Sequence, residues 1–289
     1  MKIGNINYDR VVTRYGRMYV PADDEVIGRS LRLYGEWAEA EINLISQCVQ
    51  RPGLILDVGA NIGTHTLALS SRHPECRIIA FEPQADVFAL LAASVVFNGC
   101  DNVQVLNYGC DGYDHVDYVD PEMFDGLDNR GAVSFSDYED RAGDSQTIGR
   151  PISFLRLDSL ARDVPVTFMK IDVEGMELHV LKGSSGLLRE DRPTIMFEAL
   201  DVNKVLKCRD YLNKFGYICY WAGVQAFNPE NYNGITENIW EHGELCVFAI
   251  HENSLVPDFL RAEQEVQDNH LADTIDALRE RCMTMAPSW

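Results

Sequence analysis

The stretch Leu54-Ile-Leu-Asp57-Val-Gly59-Ala-Asn61-Ile-Gly63-Thr64 constrains this chain more than any other. Its first five residues are a nearly continuous apolar run, the pattern of a short strand buried on both faces of a parallel sheet. Arg51-Pro52-Gly53 punctuates the chain just before it, and the glycines after it allow a sharp turn into a helix. A strand of this kind needs parallel neighbours, and parallel neighbours need crossover connections.

The chain supplies them. A helix to about Arg72 leads to a second strand over 77–81. Residues 84–97 then carry Val87, Phe88, Leu90, Leu91 and Val95 on a helical stripe stopped by Asn98-Gly99, and 103–108 read as a third strand. Between 109 and 165 the pattern degrades into a Gly-, Asp- and Tyr-rich stretch. A structureless loop that long is improbable in a compact domain, so short elements are expected inside it, with strands over 131–137 and 152–157. Alternation resumes with strands over 166–171, 194–197, 217–221 and 245–251 and helices over 176–182 and 202–215. Trp37, Leu44, Ile45 and Cys48 predict a helix over 35–48 docked ahead of the first strand, and Leu260, Leu271, Ile275 and Leu278 predict an amphipathic tail over 257–282.

The expected fold is therefore α/β, a mostly parallel sheet with right-handed crossovers and helices on both faces. The expected organisation is a helical N-terminal extension over 1–50, one α/β domain over 51–252 with an insertion after the third strand at about 109–165, and a helical tail over 253–289.

A net charge of −20 repels a phosphate backbone, so no nucleic-acid partner is expected. Arg150, Arg156 and Arg162 fall close together, but a solvated loop face accounts for them as well as a basic patch does. No apolar run approaches the roughly 20 residues of a membrane helix, and the first ten residues lack a signal-peptide pattern. The expectation is a cytoplasmic protein without a membrane partner. The eight cysteines are scattered singly with no CxxC pair, which suggests buried free thiols.

Chemistry concentrates at the ends of strands. At the first turn, Gly59, Ala60, Asn61, Gly63 and Thr64 let backbone approach a ligand, and amide groups at the helix start can receive a carboxylate. Asp57 beside them could meet an ammonium group. An acid paired with amide donors suits the methionine moiety of S-adenosylmethionine. Glu82, nineteen residues after Gly63 at the end of the second strand, is placed to accept from two ribose hydroxyls. A nicotinamide-dependent oxidoreductase shares that acid, but its fingerprint is GxGxxG, and here Ala60, Asn61 and Ile62 separate the glycines. Finally, Phe168-Met-Lys170-Ile-Asp172-Val-Glu174-Gly175-Met-Glu177 ends an apolar strand in dense charge. Asp172 and Glu174 are expected to face the reactive end of the cofactor. Glu177 is read instead as an acid at a positive helix N-terminus, and Lys170 as a partner for one of these acids.

These segments together resemble the FkbM family of S-adenosylmethionine-dependent methyltransferases. The similarity lies in Asp57-Val-Gly-Ala-Asn-Ile-Gly63, Phe81-Glu-Pro83, Leu157-Asp-Ser-Leu160, Lys170-Ile-Asp-Val-Glu-Gly-Met-Glu177 and Val180-Leu-Lys-Gly183, in matching order and spacing, from about Gly35 to His251. The resemblance implies a class I methyltransferase (Rossmann-like) fold, bound S-adenosylmethionine, and O-methylation of a hydroxyl on a sugar or small natural-product acceptor.

A hydroxyl acceptor needs a base, and Asp172, Glu174, His65 and His179 qualify by type, His179 being better read as a surface or packing residue. His65 sits in the first turn after the glycines, where ordinary packing competes with a role as a neutral base. Asp172 and Glu198 end two strands expected to be adjacent and could hold Mg²⁺, although carboxylates at strand ends are frequent without a metal and the plainer reading of Glu198 is a partner for Lys170 or Arg192. Trp221, Phe227, Tyr232 and Trp240 surround an Asn- and Gly-rich segment that reads equally as a carbohydrate face or as a loop on the sheet edge. Two other functions compete with methyl transfer: the nicotinamide-dependent oxidoreductase, and a catalytically silent cofactor-binding interaction protein.

Overall fold

In the computed structural model the described residues are 2–3, 6–119, 149–199, 201–240, 243–260 and 265–266. The chain opens with β1 (Lys2–Ile3), β2 (Ile6–Thr13) and β3 (Gly16–Pro21), an antiparallel sheet, followed by α1 (Ile27–Tyr34) and α2 (Glu39–Cys48). The α/β unit follows as β4 (Leu54–Val58), α3 (Thr64–Arg72), β5 (Arg77–Phe81), α4 (Ala85–Asn98) and β6 (Val103–Leu106). A small second sheet comes next, from β7 (Gly109–Cys110), β8 (His115–Val119) and β9 (Arg150–Leu155), and a 3₁₀ turn at Leu157–Ser159. The main sheet resumes with β10 (Val166–Ile171), α5 (Glu177–Lys182), α6 (Ser185–Glu190), β11 (Thr194–Glu198), α7 (Val202–Asn213), β12 (Tyr217–Gln225) and β13 (Gly243–His251).

The seven strands of the main sheet lie in the order β12-β13-β11-β10-β4-β5-β6, and all pairings are parallel except those of β13 with its two neighbours. The chain leaves β4 toward β5 on one side and later returns to β10 on the other. The carboxyl ends of β4 and β10 therefore form the point where the winding reverses, and there a crevice opens between connections running in opposite directions.

The apolar run that announced β4 is buried along its whole length, as is β10. Leu54, Leu56, Val58, Met169 and Ile171 face one layer with Val180, Leu181, Leu187, Val205 and Leu212 of α5 to α7. Ile55 and Phe168 face the other layer with Leu44, Ile45 and Leu69 of α2 and α3. Alternate residues of one strand thus anchor opposite helical layers, each fully buried Leu or Ile contributing about 1.5–3 kcal/mol. Helices do lie on both faces.

Two expectations change. The N-terminal extension contains helices but does not begin as one. Its described residues up to Pro21 form the β1–β3 sheet, because β-branched and aromatic residues around the Gly16 turn (φ 114°) favour strands and Met18 and Val20 are buried in one cluster with Leu90, Leu91 and Val95 of α4. The helix expected over 35–48 is also shorter, since Gly35 (φ 72°) caps α1 and α2 starts only at Glu39. The insertion does contain strands, with β9 covering most of the one expected over 152–157. The strand expected over 131–137 and most of the C-terminal tail lie outside the described residues; the described part of that tail, 253–260 and 265–266, is not helical, and Glu265 makes a bridge to Tyr220 on β12.

Candidate active site

The turn after β4 is built mainly from backbone. Gly59 and Ala60 donate their N–H groups to the Phe81 carbonyl at 3.1 and 2.9 Å, which ties the turn to the end of β5. Gly59 has φ 79°, and a Cβ there would fall 1.8 Å from the Asp172 carbonyl oxygen. Only glycine lets the ends of β4 and β10 come this close. Asn61 (φ 49°) continues the turn, and Gly63 (φ 94°) begins α3 with no side-chain cap. An uncapped helix start leaves amide donors that suit a ligand carboxylate.

Glu82 follows β5 and is buried. Its two carboxylate oxygens accept from the backbone N–H groups of Asn61 (3.0 Å) and Gln84 (2.8 Å), leaving the remaining lone pairs to a ligand. Burial pushes its pKa up to about 7 against those two donors, helped by the charges of Asp172 and Asp57.

A cavity of about 210 Å³ opens over these strand ends. Among the cofactor-binding candidates, Gly59, Asn61, Glu82 and Asp172 line it, while Asp57, Ala60, Gly63 and Thr64 do not. Asp57 is fully buried behind the turn, where Oδ2 accepts from the Thr66 hydroxyl at 2.5 Å and Oδ1 lies 3.7 Å from Lys170 Nζ. Lys170 stands beside Asp57 in the β10–β4 register and donates to Asp172 Oδ2 at 2.9 Å. Burial opposes the charge on Lys170, but Asp172 and Asp57 outweigh it and raise its pKa. Burial also opposes the charge on Asp172, and there Lys170 outweighs it and holds the pKa down. Asp57 thus faces an ammonium group of the protein itself rather than the cavity.

The catalytic candidates Asp172, Glu174 and His65 all line the cavity. Glu174 sits at φ 51°, a strained conformation for a residue with a side chain, which the Val173-Glu174-Gly175 turn imposes. Burial raises its pKa to about 7, with Asp172 and Glu177 adding to the effect. His65 Nε2 lies 2.8 Å from Glu41 Oε1, a contact off the hydrogen-bonding direction. Glu198, at the end of β11, comes together with Asp172 as expected, and oxygens of Asp172, Glu174 and Glu198 lie within 4.8 Å of one another. Burial and then the Asp172 and Glu174 charges push Glu198 up to about 10, so that when protonated it donates to Asp172. Its buried Oε2 finds no donor among the described residues.

The alternatives set beside these candidates also resolve in part. Glu177 is buried outside the cavity and accepts from Gly175 N–H at 2.8 Å, at the start of α5. His179 lies outside the cavity too, 3.1 Å from Asp111. Arg150, Arg156 and Arg162 each stand within 4 Å of an acid, Asp86, Asp114 and Asp191 respectively, so they form no open basic face. Trp221 is a core residue, Phe227 packs on Tyr34 and Trp240 on Trp37, and Tyr232 is half exposed. None of these four lines the cavity, which favours the loop-packing reading. All seven described cysteines are free thiols and six are buried. Among the described residues no helix is long and apolar enough to cross a membrane.

Several lining residues carry no signal in the sequence: Glu41 and Trp37 from the N-terminal extension, Tyr108 and Phe154 around the small sheet, and Glu244 on β13. Each stands alone in an ordinary-looking segment and reaches the site only through the fold.

The profile of the methyltransferase FkbM domain matches residues 57–219, more than half of the chain. A hexuronic acid methyltransferase (AglP) of Haloferax volcanii is 28% identical over 185 residues, covering 62% of this chain and 68% of that protein. Among solved structures, the methyltransferase FkbM of Methylobacillus flagellatus KT is 18% identical with a TM-score of 0.47. That alignment covers 68% of this chain but only 43% of the other, so the chain spans less than half of that protein's length. The precorrin-6y C5,15-methyltransferase of Geobacter metallireducens GS-15 is 14% identical with a TM-score of 0.47, covering 80% of this chain and all of the other. The matched domain begins at Asp57 on β4, contains Glu82 and the Asp172–Glu174 turn, and ends on β12, so it takes in the strand ends that build the cavity. The chain belongs to the FkbM family of S-adenosylmethionine-dependent methyltransferases.

Proposed function

We propose that this protein transfers the methyl group of S-adenosylmethionine to a hydroxyl of a sugar or another small polyhydroxylated acceptor. The observation that carries the reading is that Glu82 and Asp172 face one cavity across Gly59, where no side chain fits. The hexuronic acid methyltransferase among the relatives supports a carbohydrate acceptor.

Glu82 binds the ribose hydroxyls, and the turn at Gly59 and Asn61, the part of it that lines the cavity, receives the methionine carboxylate. When bound, the cofactor supplies an activated methyl, so that a C–O bond forms as the C–S bond breaks and a neutral thioether leaves. Glu174 takes the hydroxyl proton, its pKa of about 7 placing it near the optimum for a base at neutral pH. Asp172, fixed by Lys170, and His65, held against Glu41, orient the acceptor so that its oxygen meets the methyl in line.

A second reading adds Mg²⁺ at Asp172, Glu174 and Glu198, supported by three hard oxygen donors within 4.8 Å and opposed by Lys170, which already occupies one Asp172 oxygen. Activity that survives EDTA, together with no Mn²⁺ binding by electron paramagnetic resonance, sinks this addition and leaves the first reading intact.

The test is calorimetric titration with S-adenosylmethionine, S-adenosylhomocysteine and NAD, on wild type and Glu82→Ala, followed by methyl transfer from labelled cofactor to hydroxylated acceptors. The first two ligands bind and Glu82→Ala weakens both at least about tenfold, since a hydrogen bond to a charged group contributes about 1.5–3 kcal/mol. Glu174→Gln lowers kcat about a hundredfold at unchanged S-adenosylhomocysteine affinity. Binding of NAD alone overturns the proposal, and cofactor binding with no transfer to any acceptor turns it into the silent-binder reading.

A further inference from the structure

We infer that Glu41 and Glu244, both outside the stretch that matches the family, select the acceptor by charge: the cavity takes an acceptor bearing an ammonium group beside its hydroxyls, as an amino sugar does, and rejects one bearing a carboxylate. The inference rests on the methyltransferase reading.

Glu41 comes from α2 in the N-terminal extension, and Glu244 from β13, where it pairs with Val224. Both line the cavity, and both are close enough to Glu198 to contribute to its raised pKa. Glu244 itself is pushed up to about 8 by burial and then by Glu41 and Asp172. Two segments distant in sequence therefore add acids to the side of the cavity where Asp172, Glu174 and Glu198 already stand, crowded enough that Glu198 and Glu244 hold their protons at neutral pH and release them to a cation brought beside them.

Positive charge does not match it. Among the described residues that line the cavity there is no Lys or Arg. Lys170 lies buried behind the wall and is engaged by Asp57 and Asp172. Lys204 sits against Gly175 outside the lining, tempering the charge of Glu174 without pairing with it, and His65 is turned to Glu41. Among the described residues no cationic side chain makes an ion pair with Glu174, Glu198 or Glu244. In sequence the insertion over 120–148 adds eight acids and only two arginines, so its composition supplies no cationic surplus.

A ligand carboxylate brought into such a half-buried cavity meets the ionised Asp172 with little water to screen it and makes ionisation of the neighbouring acids costlier still, each like-charge contact costing on the order of tenfold in affinity. An ammonium group meets the same field with the opposite sign and relieves the crowding of the carboxylates. Selection by repulsion as well as attraction is the usual way a pocket separates ligands of similar size.

The experiment titrates glucosamine, glucose and glucuronate separately into protein saturated with S-adenosylhomocysteine, for wild type, Glu41→Gln and Glu244→Gln. Glucosamine binds at least about tenfold more tightly than glucuronate, glucose falls between them, and each substitution narrows the gap at least about threefold. The S-adenosylhomocysteine titration on each variant reports that it is folded, and a variant that fails it is replaced by Glu244→Asp, which keeps the charge and keeps the selectivity. Equal affinities, tighter glucuronate, no binding by either sugar, or a gap unchanged in both Gln variants overturns the inference. Failure of the wild-type protein to bind S-adenosylhomocysteine overturns the methyltransferase reading and this inference with it, whereas cofactor binding with glucuronate preferred overturns this inference alone.

Discussion

The end of the cavity assigned to the cofactor comes mainly from one stretch of chain, 59–82, while the acceptor end gathers Glu41, Glu174, Glu198 and Glu244 from four separate segments. The first is mostly backbone: a turn of positive-φ residues, an uncapped helix start and one carboxylate held by two amide groups. The second is nearly all side chain, and nearly all of one sign. A ligand part common to a whole family can be held by backbone geometry that many sequences provide, whereas the variable part must be read by side chains that the fold brings in from elsewhere.

Lys170 joins the two ends, since it contacts Asp57 under the turn and Asp172 on the cavity wall. Lys170→Ala strands Asp57 as an unpaired buried charge and should cost about 3–5 kcal/mol, the largest effect expected here, measured as a shift of the urea midpoint. If the two ends were independent, the substitution would spare cofactor binding once stability was restored by added salt or osmolyte; we expect cofactor affinity to fall as well.

A smaller effect isolates the cofactor end. Glu82 has a pKa of about 7 in the free protein, above the 4.5 of an ordinary glutamate. If its ionised form accepts from the ribose hydroxyls as proposed, S-adenosylhomocysteine affinity should rise with pH, weakening by about tenfold from pH 8 to pH 6. The stability of the ligand-free protein moves the other way. A raised carboxyl pKa favours the folded state below pH 4.5, and this contribution is lost as the pH climbs through about 7. Glu82→Gln should flatten both profiles, and a pH dependence of affinity that persists in this variant would assign it to the acceptor end instead.

The smallest effect is expected where neither end is touched. Arg77 pairs with Asp163 at the far end of β5, and both side chains are more than half exposed. Arg77→Ala should therefore change stability by less than about 1 kcal/mol and leave cofactor affinity unaltered, as thermal melting and calorimetry would show.

How much could be read in advance follows the same division. The buried run at 54–58, the glycine turn, Glu82 and the charged end of β10 are local patterns, and local patterns survive in sequence because neighbouring residues stay neighbours in the fold. The aromatic residues around 227–240 were ambiguous for the opposite reason, since what decides between a sugar face and loop packing is whether Tyr34 and Trp37 lie underneath. Asp57 shows the same limit inside a strong motif: its position at the end of β4 was legible, but its partner was not, because Lys170 lies 113 residues later and only the β4–β10 register sets them side by side. The N-terminal strands were missed because their apolar residues find their cover on α4, at a distance no window of the sequence spans.

The α/β alternation, the central strand, the glycine turn after it and the acids that follow β5 and β10 were legible in the amino-acid sequence, because hydrophobic periodicity and backbone chemistry set them within a few residues. Which carboxylates share a cavity, which of them Lys170 neutralises and which face one another follow from the packed fold alone, because charge interactions depend on separations and burial that exist only once distant strands and helices have come together.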